Sequence, residues 1–270
     1  MCELRKDWGG ESIVGAPAEN LLWPQPCHPV QLNDSQIHLW CAAISNFRGD
    51  IPSFEAVLSP DEQRRAASFR FSAHRDSYVI RHGILRTVLS RYLRRAPAEV
   101  EFSYGSTGKP AITERTELGF LHFNDSHSAD LAIYAMSRAC DVGVDIEYVK
   151  PVPSLKNILP HCFSAREAEM LLNLPPELQV EAFYTGWTRK EAVLKATGEG
   201  IGRGMAHLEV LVNFSHEKES LKIPPESEGL PNWLLRSVQP AAGYVAAIAY
   251  QHPEVNLAFY SVPADLNSAV

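Results

Sequence analysis

Two acidic residues stand at a spacing that could serve a bound cation. From Val142 to Tyr148, apolar side chains occupy every second position, so Asp145 and Glu147 share the other face of a predicted strand. Two such carboxylates lie about 7 Å apart along a strand, and both could reach one Mg²⁺ ion, which prefers oxygen ligands. An ordinary strand edge that exposes its acids to solvent would show the same alternation, so the spacing alone leaves two interpretations open.

A second pair of charged residues lies on a helix that is predicted from Glu177 to about Ala196. Glu191 and Lys195 are four residues apart and therefore adjacent on one helix face. They could supply a third carboxylate for the cation and an ammonium group for a phosphate oxygen. A solvent-exposed ion pair that stabilises the helix only slightly is the alternative interpretation.

A polar segment from Phe123 to Ser128 is predicted to form a turn between two short strands. Ser126 and His127 could bind a phosphate monoester there, because binding groups concentrate in turns. The same segment could be a turn that its Asn and Ser side chains stabilise. A Ser-His hydrolase is not supported, since the sequence has no G-x-S-x-G elbow.

Composition limits the classes of protein to which the chain can belong. It has 270 residues, 45% of them hydrophobic, and a formal net charge of −7, which is typical of a folded protein of one or two domains. The charge disfavours a nucleic-acid or membrane partner. Five cysteines without a C-x-x-C pair, and a start without an apolar leader, favour a reducing cytoplasm. Nine arginines between residues 61 and 95 could still bind an anionic ligand locally.

The predicted elements occur twice in the same order, at an offset of about 110 residues. The predicted strands are 37–42, 100–104, 120–123 and 131–136 in the first copy, and 142–148, 208–213, 233–238 and 244–250 in the second. Helices are predicted after the cap residues Ser59 and Ser164 and over residues 75–93 and 177–196.

This order predicts an α+β fold of two similar halves, with a pocket at the seam between them. The predicted parts are an irregular N-terminal extension (1–35), an N-terminal half (36–138) and a C-terminal half (139–270). Coincidence among common elements is the alternative explanation of the repeated order.

Four motifs in sequence resemble those of the two-domain, surfactin-synthetase-activating (Sfp) type of 4′-phosphopantetheinyl transferase. They are GKP at 108–110, FNDSHS at 123–128, GVDIE at 143–147 and WTRKEAVLK at 187–195. The resemblance implies two similar α+β halves with the active site at their interface. It also implies transfer of the 4′-phosphopantetheine arm of coenzyme A to a serine of an apo acyl or peptidyl carrier protein, with release of adenosine 3′,5′-bisphosphate.

The resemblance further implies roles for individual residues. Mg²⁺, or Mn²⁺ in its place, would be held by Asp145, Glu147 and Glu191. Asp145, Glu191 and Lys195 would act in catalysis, with Lys195 at the reacting phosphate and Glu191 accepting the serine proton directly or through water. The residues expected to contact coenzyme A, some from the motifs and some from the basic region, are Arg65, Arg81, Arg86, Lys109, Ser126, His127, Lys190 and Lys195.

Two other functions compete with this one. A metal-dependent nuclease could use the same acids, although the net charge of −7 disfavours the basic groove that it would need. A non-catalytic carrier-protein binding module would tolerate loss of the carboxylates or of Lys195, and the sequence retains them all. We expect a monomer, because the internal repeat already forms a seam within one chain.

Overall fold

The computed structural model describes residues 21–26, 30–105, 108–112, 115–117, 119–198, 205–210, 221–222, 233–252 and 254–264. The helices are α1 (Ile51–Val57), α2 (Pro60–Ala67), α3 (Ser72–Leu93), α4 (Leu155–Cys162), α5 (Ala165–Leu172) and α6 (Pro176–Thr197). The strands are β1 (Gln36–Ala43), β2 (Ser103–Tyr104), β3 (Pro110–Ala111), β4 (His122–Ser128), β5 (Leu131–Ser137), β6 (Val142–Tyr148), β7 (Leu221–Lys222), β8 (Leu234–Val238), β9 (Tyr244–Tyr250) and β10 (Asn256–Ser261).

Two four-stranded sheets carry the repeat. Their strand orders are β10-β1-β5-β4 and β6-β9-β8-β7. In the first sheet β1 pairs antiparallel with β5, and β5 with β4; in the second, β6 pairs antiparallel with β9, and β9 with β8. Equivalent strands therefore have equivalent neighbours, and the predicted α+β fold with two similar halves is confirmed.

Three apolar clusters arrange these elements in four layers. One cluster lies between α3 and the outer face of the first sheet, and another lies between α6 and the outer face of the second sheet. The third joins the inner faces of the two sheets, where Leu39 and Ile133 meet Val144 and Ile248. The order is thus helix, sheet, sheet, helix, and burial of these large apolar faces is the main favourable contribution to folding.

The two long helices match the predicted ranges to within three residues at each end. α3 and α6 each contain 22 residues. The shorter helices before them, α2 and α5, start with complete capping boxes at Ser59 and Ser164, in which the serine hydroxyl accepts from the N–H of the third helical residue. α6 ends at Gly198, whose φ of 69° is the left-handed conformation that glycine adopts without strain. No helix in the described ranges combines the length and the apolarity needed to cross a bilayer.

Several elements differ from the predictions, among them α1 and α4, which were not predicted. The segment predicted as a turn after residue 123 belongs to β4, and the chain reverses only at Ala129, where φ is 48°. No strand forms over Leu208–Val210, and residues 211–213 of that predicted strand lie outside the described ranges. β10 was not predicted, and it runs parallel to β1.

The described part of the N-terminal extension contacts both sheets. The Leu22 N–H donates to the Pro240 carbonyl, and Trp23 packs against Phe259 of β10 with ring centroids 5.0 Å apart. Leu32 belongs to the core beneath α3. The division of the chain at residues 35 and 138 stays a prediction, since β10 follows the second boundary and pairs within the first sheet.

Candidate active site

The candidate site lies where the backbone of α6 closely approaches that of β6. A Cβ atom added to Gly143 would lie 2.0 Å from the Ala192 carbonyl oxygen and 2.4 Å from the Ala196 nitrogen, so only glycine lets the two backbones touch here. Because side chains alternate along a strand, Asp145 and Glu147 lie on the same face as Gly143 and face α6. Asp145 is 0% exposed, and the interpretation of the acids as a solvent-facing strand edge is therefore wrong for this residue.

The buried Asp145 carboxylate and the partly buried Lys195 form an ion pair at this contact. The Lys195 ammonium donates to Oδ1 of Asp145 at 2.8 Å and to the Val144 carbonyl at 3.1 Å, and the Ser126 hydroxyl donates to the same Oδ1 at 2.7 Å. Oδ2 of Asp145 is buried and receives no hydrogen bond from any described residue. One oxygen of this carboxylate is thus fully used by the protein, while the other remains available to a ligand.

The other two predicted acids lie on the same two elements. Glu191 is only 4% exposed, so the interpretation of Glu191 and Lys195 as a surface ion pair is wrong. The charge of Glu191 also acts on the nearby Cys162 thiol. Burial is the main cause that raises the pKa of Cys162 to about 11; Glu191 raises this pKa further, and Lys190 lowers it. Glu147 is partly buried, and its Oε2 accepts a hydrogen bond of 2.6 Å from Ser128.

The three acids do not form a preassembled metal cage. In the described part of the chain, no group of three or more His, Cys, Asp or Glu side chains is arranged to hold a metal ion. Mg²⁺ nevertheless keeps several waters and commonly takes only one or two carboxylates together with substrate phosphates. An all-oxygen donor set with a buried, unbonded Asp145 Oδ2 fits such an ion.

Alternate side chains of β4 contact β6 from the other half of the molecule. The contacts, in chain order, are His122 Nδ1 with Asp141 (2.9 Å), Asn124 Oδ1 with the Val144 N–H (2.8 Å), Ser126 with Asp145 (2.7 Å) and Ser128 with both Glu147 (2.6 Å) and the Tyr148 N–H (3.1 Å). The contacts advance in the same direction along both strands. β4 and β6 therefore run parallel to each other and are joined through side chains of β4. Sequence reasoning missed Asn124 and Ser128, although their spacing of two from Ser126 was a visible signal.

The predicted coenzyme A contacts Ser126 and His127 point in opposite directions. Ser126 is buried against Asp145, whereas His127 is exposed on the opposite face of β4. Lys109 is half-buried and donates to the Val142 and Ala196 carbonyls, both at 3.3 Å. Burial lowers the pKa of Lys109. The structure therefore brings Lys109 and Ser126 to the β6–α6 contact and leaves His127 on the helix side of the first sheet.

Arg65 and Arg81 lie near that helix side. Arg65 is exposed, with its guanidinium 5.5 Å from the ring centroid of Phe69. Arg81 is partly buried, and burial lowers its pKa while the charge of Asp125, two residues before His127, opposes that shift. Arg81 can therefore present positive charge close to the face of β4 that carries Asp125 and His127.

Arg86 and Lys190 are placed differently from the prediction. Arg86 is 1% exposed and its Nε donates to Glu62 at 2.7 Å, while Lys190 is 0% exposed and donates to Glu167 at 2.6 Å. Both cations also bond backbone carbonyls, and their positive charges are neutralised inside the fold. We correct the prediction for these two residues, because buried and paired cations are not accessible to coenzyme A.

Comparison with known proteins gives the family of the chain. Residues 141–249 match the model of the 4′-phosphopantetheinyl transferase superfamily. The chain is 35% identical to the 4′-phosphopantetheinyl transferase HetI of Nostoc sp. over 226 residues, which cover 84% of this chain and 92% of HetI. It is 27% identical to the 4′-phosphopantetheinyl transferase Sfp of Bacillus subtilis over 201 residues, which cover 74% of this chain and 85% of Sfp. The chain therefore belongs to the 4′-phosphopantetheinyl transferase family.

Proposed function

We propose that the β6–α6 contact is the active centre in which this transferase moves the 4′-phosphopantetheine arm of coenzyme A to a serine of an apo acyl or peptidyl carrier protein. The observation that carries the proposal is the buried Asp145 carboxylate, with Lys195 on one oxygen and no hydrogen bond from the described residues on the other. A buried charge that is only partly satisfied destabilises a fold, so its presence favours a ligand-binding role.

The donor set favours Mg²⁺, or Mn²⁺ in its place, as the resident metal. Asp145, Glu147 and Glu191 would hold it through oxygen atoms alone, as a hard cation requires. When bound, the ion neutralises charge on the diphosphate of coenzyme A.

Glu191 would act as the base. The serine oxygen of the carrier protein forms a bond to the phosphorus next to the pantetheine, and the bond from that phosphorus to the bridging oxygen breaks. The electron pair leaves with adenosine 3′,5′-bisphosphate, and the serine proton goes to the Glu191 carboxylate, directly or through a water molecule. The burial of Glu191 keeps this carboxylate away from bulk solvent.

Lys195 would stabilise negative charge on the reacting phosphate. An ammonium group has three N–H donors, and those of Lys195 have two acceptors among the described residues, the Val144 carbonyl and Asp145 Oδ1. A third N–H can donate to a phosphate oxygen without loss of either contact. A fixed cation at this position is an effective contribution to phosphoryl transfer.

The remaining charges of coenzyme A require further cations. The cofactor carries about four negative charges at neutral pH, roughly half of them on the 3′-phosphate. To these remaining charges we assign four residues: Arg65, Arg81 and His127 on the helix side of the first sheet, and Lys109. Arginine is well suited to the role because its planar fork matches phosphate oxygens.

Intact-mass measurement tests the proposal. The chain is incubated with coenzyme A, Mg²⁺ and a panel of apo carrier proteins from fatty-acid, polyketide and peptide synthesis. We expect one carrier to gain the mass of one phosphopantetheine arm, with equimolar adenosine 3′,5′-bisphosphate, and we expect excess chelator to stop the gain. A carrier that binds but gains no mass would instead support a non-catalytic module, and cleavage of a nucleic acid by the same preparation would support a nuclease.

A further inference from the structure

The row of side chains on β4 satisfies the free edge of β6. Among the described strands, β6 lies at the edge of its sheet and pairs with β9 on one side only. On its other side, the N–H groups of Val144 and Tyr148 donate to the side chains of Asn124 and Ser128. Side chains from one half thus replace the backbone partner that a further strand would have provided.

The two serines in this row also donate to the two acidic residues of β6. Ser126 donates to Asp145 Oδ1 at 2.7 Å, and Ser128 donates to Glu147 Oε2 at 2.6 Å. A serine hydroxyl has a single proton, so each of these protons is committed to a carboxylate. The Tyr148 N–H occupies a lone pair of the Ser128 oxygen at 3.1 Å, which helps to direct the Ser128 proton toward Glu147.

We propose that Ser126 and Ser128 are positioning residues, which orient the Asp145 and Glu147 carboxylates for the metal ion. The inference rests on the proposed function, and it assigns to Ser126 a role other than the coenzyme A contact that the motif implies. Ser126 and Lys195 together hold Asp145 Oδ1, and this fixes the direction of the unbonded Oδ2. Hydrogen bonds of this kind to a ligating carboxylate typically raise metal affinity by about 10-fold or more.

The arrangement makes metal binding depend on the contact between the halves. β4 belongs to the first sheet and β6 to the second, so the carboxylates keep their orientation only while the two strands stay in register. Loss of the Ser126 hydroxyl would leave Asp145 Oδ1 with Lys195 as its one remaining partner among the described residues and would free the carboxylate to rotate. The cation would then bind a less ordered group.

Direct titration with Mn²⁺, followed by electron paramagnetic resonance of the free ion, tests the inference on the full-length chain. Ser126→Ala and Ser128→Ala are compared with Ser126→Thr, which keeps the hydroxyl. We expect the dissociation constant for Mn²⁺ to rise about 10-fold in each alanine variant. We expect Ser126→Thr to stay within about threefold of wild type, because its hydroxyl can still donate to Asp145.

Ser137→Ala is the matched control. Ser137 is fully buried on β5, and its hydroxyl oxygen accepts from the Ala139 and Cys140 N–H groups, away from the acids. Its loss should lower the melting temperature without changing Mn²⁺ affinity, and this separates a general loss of stability from loss of carboxylate orientation.

Two outcomes overturn the inference, and they are distinguishable. Unchanged Mn²⁺ affinity in both alanine variants, with wild-type transfer intact, would refute the positioning role alone. Failure of the wild-type chain to bind Mn²⁺ at all would refute both this role and the proposed metal site. If the first outcome comes with a rise in the KM for coenzyme A at saturating Mn²⁺ in Ser126→Ala, Ser126 belongs to the coenzyme A site instead.

Discussion

Lys195 and Arg91 occupy equivalent positions on two helices of equal length, and different groups lie beneath them. When α6 and α3 are aligned end to end, Lys195 matches Arg91 and Glu191 matches Thr87. The Lys195 ammonium is 2.8 Å from the Asp145 carboxylate. The Arg91 guanidinium lies 5.9 Å from the ring centroid of Trp40. The same cation position thus serves a polar site in one half and an aromatic core in the other.

The strands beneath the helices show the same division. With Ile37 of β1 aligned to Val142 of β6, Trp40 matches Asp145 and Ala42 matches Glu147. Trp40 and Ala42 belong to the apolar core beneath α3. The two copies therefore share the same backbone scaffold. At these equivalent positions, acidic residues are present in the second copy and absent from the first.

A buried polar cluster is common to both halves. Glu62 and Glu167 each close the capping box of a short helix and also accept a hydrogen bond from a buried cation, Arg86 or Lys190. These cations match each other when the long helices are aligned. The cluster ties the short helix to the long one in each half. The equivalent placement of Arg86 and Lys190 in the two halves therefore contributes to stability and not to coenzyme A binding.

The largest expected effect separates Glu191 from its counterpart Thr87. Glu191→Gln should reduce transfer to a carrier protein by about 10³- to 10⁴-fold, because an amide neither accepts the serine proton nor carries the charge that a metal needs. Thr87→Val should stay within about twofold of wild type. The measurement is the initial rate of holo-carrier formation by intact mass. A Glu191→Gln variant with a tenth of wild-type activity or more would contradict the assignment.

Breaking the buried pairs is the second test of the comparison. Glu62→Ala and Glu167→Ala should each lower the free energy of unfolding in urea by about 3–5 kcal/mol, because a buried cation loses its partner. The loss should be greater for Glu62→Ala, since Arg86 stays protonated whereas Lys190, whose pKa is already lowered by burial, can release its proton.

Glu177→Ala provides the control for these two variants, because Glu177 is an exposed glutamate at the start of α6. Its substitution should change the free energy of unfolding by about 0.5 kcal/mol or less. Equal small losses in all three variants would show that the buried clusters do not stabilise the halves.

The two equivalent cations provide the third test. Lys195→Met should reduce transfer by about 100-fold, as expected when a fixed cation is removed from a reacting phosphate. Arg91→Met should leave transfer unchanged and lower the free energy of unfolding by about 0.5–1 kcal/mol through the lost contact with Trp40. If Lys195→Met and Arg91→Met had similar transfer activities, the claim that only α6 contributes a catalytic cation would be wrong.

The last test is an acid-dependent loss of stability in the first half, which should be smaller than the loss from breaking either buried pair. Burial raises the pKa of Glu62, but hydrogen bonds from His82, the Ser59 N–H and Arg86, with the charge of Arg86, outweigh it and bring the pKa to about 2. The contribution of Glu62 is therefore present above its ordinary value of 4.5 and is lost as the pH falls toward 2. We expect about 2 kcal/mol of this loss between pH 5 and pH 3.

Urea unfolding at both pH values checks this expectation, with Glu62→Gln as the reference. The glutamine variant has no carboxylate to protonate and should lose less stability over the same interval. Parallel losses in the two proteins would place the acid sensitivity elsewhere in the molecule.

Local signals in the sequence determined most of the elements and the identity of the acids. Serine caps followed by glutamate predicted the starts of α2 and α5, and period-two alternation predicted β6 with Asp145 and Glu147 on one face. These features depend on neighbours within a few residues, so a single chain segment contains the information.

The tertiary structure alone decided which polar groups meet. The local pattern wrongly predicted a turn at Ser126, because the partners that make its burial in a strand favourable lie on β6 in the other half. Arg86 and Lys190 were predicted to contact the ligand. In the folded chain, Glu62 and Glu167 neutralise their charges. Burial and pairing are long-range properties, since the energy of a charge depends on groups that folding brings together from distant parts of the chain.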